Sequence, residues 1–143
     1  MPNATISCFV DTNILVYSAD PAAAGKQQVA QDLLRRLASS GALVLSPQSL
    51  NECYRALTRS ERRIATNPIA RAYVENYAAF CTAPYDLSVT LLAWDIQDKH
   101  LFSWWDCVLL GSATLAGCTV FFSEDLQHHR QIGSLTVVNP FLG

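Results

Sequence analysis

The chain has 143 residues, of which half are hydrophobic and only 15% charged, and its formal net charge is −2. This length suits one compact domain spanning residues 1–143, able to bury its apolar surface without disulfides or a structural metal. So few charges leave apolar surface for a partner to cover, most simply a second copy of the chain. The apolar run Ile6 to Val10 has no basic segment before it and is too short for a signal or a membrane span, so a cytoplasmic protein away from membranes is expected.

Five cysteines (Cys8, Cys53, Cys81, Cys107, Cys118) are odd in number, lack Cys-x-x-Cys spacing and sit mostly in apolar stretches, which reads as reduced core thiols. A net negative charge speaks against phosphate binding, since nucleic-acid binders carry a basic surplus. The location of the charge matters more. Setting four clustered carboxylates aside leaves eight acids against ten Lys and Arg, a modestly basic surface around an acidic pocket.

In chain order, Ile6-Ser7-Cys8-Phe9-Val10 is a short, nearly continuous apolar run rich in β-formers, as a central parallel strand requires, and it ends at Asp11. Asn13 to Ser18 continues as a helical turn broken by Asp20-Pro21, and Gln27 to Leu37 carries Val29, Leu33, Leu34 and Leu37 at helical spacing before Gly41. Ala42 to Leu45 is a second strand. Ser46-Pro47 then caps a helix carrying Leu50, Tyr54 and Leu57 on one face and Glu52 within it. Asn67-Pro68 opens a helix by the same logic, reaching about Cys81. A further helix runs from about Ser88 with Leu91, Leu92, Asp95 and Ile96, leaving through His100-Leu101-Phe102. Ser103 opens a helix from Trp104 to Ala116 that is apolar almost all round and so should be buried, and Gly117 ends it. Thr119 to Phe122 and Leu135 to Val138 are the last strands.

This alternation predicts an α/β fold: a three-layer α/β/α sandwich around a mostly parallel sheet of four to five strands. In such sheets the functional crevice lies beyond the carboxyl ends of the strands. Asp11 stands immediately after one strand and Asp125 three residues after another, while Asp106 opens the most apolar helix and Glu52 lies on the helix after the second strand. Each acid has an ordinary reading. Asp11 can cap a turn, Ser103-x-x-Asp106 matches a capping box, Asp125 can be a turn residue and Glu52 a solvated helix position. Brought together, the four would repel one another unless a cation neutralised them, and such hard oxygen ligands suit Mg²⁺ or Mn²⁺. That combination points to phosphoryl chemistry with a metal-activated water.

Four segments in order, Phe9-Val10-Asp11-Thr12-Asn13-Ile14-Leu15, Leu50-Asn51-Glu52, Ser103-Trp104-Trp105-Asp106 and Ser123-Glu124-Asp125-Leu126, resemble the successive motifs of PIN domains. Val137-Val138-Asn139-Pro140-Phe141 resembles the end of the VapC-like toxin branch. The resemblance implies a Mg²⁺- or Mn²⁺-dependent RNA endonuclease, the toxin of a type II toxin–antitoxin pair, and a homodimer with a cognate antitoxin. It also implies Asp11, Glu52, Asp106 and Asp125 as catalytic metal ligands, with Asn13 and Ser123 orienting them, and hydrolysis that leaves a 5′-phosphate and a 3′-hydroxyl.

Arg55, Arg59, Arg62 and Arg63 follow Glu52 at mostly helical spacing, with Arg71 nearby, so a basic stripe could hold an RNA backbone. A solvated helix face is the plainer reading. His128-His129-Arg130 departs from the small or acidic residue and glycine usual in the related toxins; without i, i+4 spacing it reads as a surface loop. Trp94, Trp104 and Trp105 read as core or dimer-interface residues before base-stacking ones. A haloacid-dehalogenase-like phosphatase would need a second acid two residues after Asp11, where Asn13 stands. The non-enzymatic alternative is a catalytically silent PIN-like module that binds RNA or an antitoxin.

Overall fold

Cys8, Phe9 and Val10 are apolar on both sides of the strand they form, and β1 (Cys8–Val10) accordingly takes an interior place in the sheet, with all three residues buried. The computed structural model describes residues 6–142. After β1 come α1 (Thr12–Ala19), α2 (Gly25–Ser40), β2 (Leu43–Val44), α3 (Pro47–Thr58), α4 (Asn67–Glu75), α5 (Leu87–Lys99), α6 (Trp104–Leu115), β3 (Val120–Phe122), β4 (Gln131–Ile132) and β5 (Leu135–Val138). The strands lie in the order β2-β1-β3-β5-β4, parallel throughout except for β4, which runs antiparallel to β5. The expected α/β/α sandwich with a mostly parallel sheet is what the chain forms. From β1 the chain goes first to β2 on one side and later to β3 on the other, so a crevice opens where the connections diverge, beyond the carboxyl ends of β1 and β3.

Two apolar clusters cover the sheet. Phe9 and Phe121, paired in register and stacked with centroids 5.5 Å apart, face α5 and α6. Val10 faces the other way, among Ile14, Leu15, Leu33, Leu34, Cys53 and Leu57 from α1, α2 and α3. The strand alternation therefore feeds both cores from one segment. Helix α6 is buried from Cys107 through Ala113, as its all-round apolar sequence requires. Gly111 lets α5 come close, for a Cβ there would stand 3.2 Å from the Val89 carbonyl oxygen. All five cysteines are free; four are buried and Cys81 is half-buried.

Several boundaries differ from expectation. Helix α4 stops at Glu75 rather than near Cys81, because the chain must turn back to the end of β2: Leu45 N–H donates to the Phe80 carbonyl at 2.8 Å and Ala83 N–H to the Leu45 carbonyl at 3.1 Å. Its cap is Thr66, with Asn67 already helical. Helix α3 buries Ser49, Cys53 and Leu57, while Leu50 and Tyr54 are only half-buried. Helix α5 buries Val89, Ala93 and Ile96 and turns Leu87, Leu91 and Trp94 outward, because the face that approaches Gly111 is the one carrying Val89 and Ala93. Strand β4 is too short to show a period, and Gly133, with φ +58°, makes its hairpin with β5. His128 and His129 do more than decorate a loop. Nδ1 of His128 accepts from Asn139 N–H at 3.0 Å, and His129, held at φ +69° where glycine is favoured, donates its N–H to the Val137 carbonyl at 2.8 Å.

The α5–α6 contact gives a direct stability test. Gly111→Val should lower the unfolding free energy by about 2 kcal/mol through overpacking, read as a lower urea midpoint at unchanged slope; an unaltered midpoint would contradict the close approach.

Candidate metal centre

Asp11 leaves the end of β1 as the N-cap of α1. Its Oδ1 accepts from Thr12 N–H at 2.7 Å, and its backbone N–H donates to the Phe122 carbonyl at 2.9 Å, extending the β1–β3 pairing by one residue. Directly after β3, the buried Ser123 hydroxyl donates to Asp11 Oδ2 at 2.7 Å and accepts from Asp125 N–H at 3.1 Å. The Asp11 side chain is thus gripped from both strand ends and is only 4% exposed. The capping role is real, and it does not compete with a site role.

The other acids arrive on separate elements. Glu52 projects from α3, with Oε1 accepting from the Thr12 hydroxyl at 2.9 Å and Oε2 from the Gln48 amide at 3.1 Å. Asp106 sits in the first turn of α6, and its N–H donates to the capping Ser103 hydroxyl at 3.3 Å. Asp125 stands exposed at the rim and accepts from the Asn13 amide at 2.9 Å. Asn13 therefore touches Asp125 and Ser123 touches Asp11, each tying the β1 side to the β3 side.

Electrostatics mark the same place. Burial pushes the Asp11 carboxyl up to about 7 from its ordinary 3.8; the Ser123 hydrogen bond opposes this, and the negative charges of Asp106 and Asp125 add to it. Asp125, although it reaches solvent, is raised as well, first by partial desolvation of its carboxyl and then by Asp106 and Glu124. Among the described residues no three acids, histidines or cysteines stand close enough to form a finished cation cage. The donor set nevertheless fits a hard divalent cation. It is all oxygen, it includes a carboxylate that burial and like charge hold toward its neutral form, and a positive charge among Asp11, Asp106 and Asp125 would relieve both penalties.

Beside Glu52 opens a groove of about 450 Å³, lined by Thr12, Asn13, Tyr17, Asp20, Glu52, Arg55, Arg59 and Arg62 among others. Three of the five arginines singled out in the sequence thus face one groove, although Arg62 is engaged by Asp20 at 2.8 Å. Arg71 instead lies over the Tyr54 ring, with 6.0 Å to its centroid. Sequence reading left three other groups without a role. Thr12 and Gln48 hold Glu52, and the i, i+4 spacing of Gln48 and Glu52 was a visible signal. Glu124 accepts from Tyr17 at 2.7 Å and pairs with Lys26 at 2.6 Å; burial would raise its carboxyl, but these two partners outweigh it and hold it below the usual range.

The sequence model of the PIN domain family matches residues 8–133. The chain belongs to the PIN domain family. No curated protein matches this PIN domain significantly, but solved structures resemble it over most of its length. VapBC2 from Rickettsia felis, bound to a DNA fragment from their promoter, is 13% identical with a TM-score of 0.66, over 92% of this chain and 97% of that one. A toxin–antitoxin complex from Klebsiella pneumoniae is 15% identical with a TM-score of 0.67, over 94% and 98%. VapC20 from Mycobacterium tuberculosis, a sarcin-ricin loop cleaving toxin, is 18% identical with a TM-score of 0.59, over 80% and 87%. At these identities the likeness is one of fold. No helix among the described residues of this PIN domain is long and apolar enough to cross a membrane.

The sign of the Asp11 shift sets a pH test on the metal-free protein. Folding raises this acid's proton affinity, so its ionisation costs stability; the cost is absent below about pH 4, grows with pH, and is complete above about 7. Asp11→Asn keeps the shape and removes the charge. At about pH 8 it should be more stable than wild type by up to on the order of 4 kcal/mol, at about 1.4 kcal/mol per tenfold change in proton affinity, and the two should converge near pH 4. Chemical denaturation in chelator at both pH values decides it, and equal stabilities at high pH would refute the burial of an ionisable acid.

Proposed function

We propose that this PIN domain is a metal-dependent endoribonuclease, the cytoplasmic toxin of a toxin–antitoxin pair, with Asp11, Glu52, Asp106 and Asp125 as ligands for Mg²⁺ or Mn²⁺. The observation that carries this reading is the buried Asp11 carboxylate, gripped between the ends of β1 and β3 and raised further by the charges of Asp106 and Asp125. A bound divalent cation supplies an activated water and neutralises charge on the phosphodiester. The chain's own residues do the placing. Ser123 and Thr12 N–H orient Asp11, the Thr12 hydroxyl orients Glu52, and Asn13 orients Asp125. Arg55 and Arg59 line the adjoining groove, where they can hold backbone phosphates of the RNA. The toxin reading draws support from the fold likeness to a toxin–antitoxin complex and to a toxin that cleaves the sarcin-ricin loop.

Pure, partner-free protein incubated with a mixed RNA pool should cleave it in Mn²⁺ and not in EDTA, and Asp11→Asn should lose roughly 100-fold or more of that activity. Cleavage in chelator, or by an undiminished variant, would sink the mechanism. RNA or antitoxin binding with no cleavage under any metal would instead favour the catalytically silent module.

The partner that the composition calls for is a second copy. Leu87, Leu91 and Trp94 project from one face of α5 with exposures of 69%, 52% and 52%, and Tyr85 and Trp105 are also exposed, a larger run of apolar side chains than a solitary domain usually presents to water. Light scattering should find a dimer at micromolar concentration and a monomer for Leu91→Glu. A monomeric wild type would rule out self-association.

A further inference from the structure

Gln48 lies in the first turn of α3, one turn before Glu52, yet only 4% of it is exposed. Its amide nitrogen donates twice: to Glu52 Oε2 at 3.1 Å and to the backbone carbonyl of Trp105 at 3.2 Å. Trp105 immediately precedes Asp106 in the first turn of α6. One side chain therefore spans the gap between the two helices that bring Glu52 and Asp106 to the site. The amide cannot be turned over, because a carboxylate and a carbonyl are both acceptors and only the NH₂ group can face them. That leaves Gln48 Oε1 buried with no hydrogen-bond partner among the described residues, an arrangement that costs stability and that a side chain serving packing alone would not need.

We propose that Gln48 is a positioning residue of the metal centre: it holds Glu52 in the orientation that a cation requires and sets its distance from the start of α6. This rests on the metal-dependent reading above. The chemistry explains the residue type. With the Thr12 hydroxyl on Oε1 and the Gln48 amide on Oε2, both oxygens of Glu52 are directed by neutral donors, each keeping a lone pair for a cation. Glutamate at position 48 would set a second negative charge against Glu52 and the Trp105 carbonyl. Asparagine would be one methylene short of the span, and methionine would fill the space without donating.

The test measures Mn²⁺ binding by electron paramagnetic resonance on the purified full chain, alongside thermal melting without metal and RNA cleavage as a function of Mn²⁺. Gln48→Met should bind Mn²⁺ roughly 10- to 100-fold more weakly, the effect typical of losing a group that orients a ligand. Its cleavage midpoint should move to higher Mn²⁺ by a similar factor, and its melting temperature should stay within a few degrees of wild type because a buried unpartnered oxygen leaves with the amide. Gln48→Asn, which keeps the amide, should show the same loss and gives the answer if the methionine variant does not fold. Affinity within about twofold of wild type in both variants, or a lowered melting temperature with unchanged affinity, overturns the positioning role while leaving the nuclease intact. Wild-type protein that neither binds Mn²⁺ nor cleaves RNA overturns the nuclease reading, and this role with it.

Discussion

A carboxylate sealed between the ends of two parallel strands is the constraint on which the rest of this structure turns. Asp11 could not stay buried there without donors. It receives them from Thr12 N–H on its own side and from Ser123 at the end of β3, so the β1–β3 pairing is a condition for the acid as much as for the sheet. Burial together with like charge from Asp106 and Asp125 then gives the ionised Asp11 carboxyl a standing energetic cost. A divalent cation would remove that cost, which couples binding at the site to the stability of the sheet's centre.

Helix termini carry much of the site. Asp11 caps α1 and Asp106 lies in the first turn of α6, positions where a negative charge is favoured by the helix dipole and where free backbone N–H groups wait for acceptors. The neutral residues around them, Thr12, Asn13, Gln48 and Ser123, each donate to an acid that arrives from elsewhere in the chain or from the next turn of the same helix. Tyr17 and Lys26 serve the segment before Asp125 in a comparable way, anchoring Glu124 so that its charge is matched.

Charge separation also resolves the unpromising net charge. Asp11, Asp106 and Asp125 lie within electrostatic reach of one another beyond the ends of β1 and β3, while Arg55 and Arg59 line the groove that begins at Glu52, so the two signs of charge occupy adjoining regions. At the α5–α6 contact, α5 turns Val89, Ala93 and Ile96 toward the core and large apolar side chains outward. The same packing that closes the core thus leaves Leu87, Leu91 and Trp94 exposed on α5.

The layer architecture, the central strand and the positions of Asp11 and Asp125 after strands, Asp106 at a helix start and Glu52 within a helix are all legible in the order of residues alone. Hydrophobic period and capping chemistry are local properties, readable from Cys8-Phe9-Val10-Asp11 or Ser103-x-x-Asp106 without knowing what lies opposite. The buried face of α5, the end of α4 and the existence of a two-residue β4 come instead from long-range packing: a close helix approach, a distant backbone bridge and a hairpin too short to carry a pattern. Tertiary structure alone also decided the partners of the acids. Ser123 reaches Asp11 and Asn13 reaches Asp125 across 112 residues of chain, and Gln48 meets the Trp105 carbonyl across 57. Such contacts depend on strand register and helix placement, which no local pattern encodes.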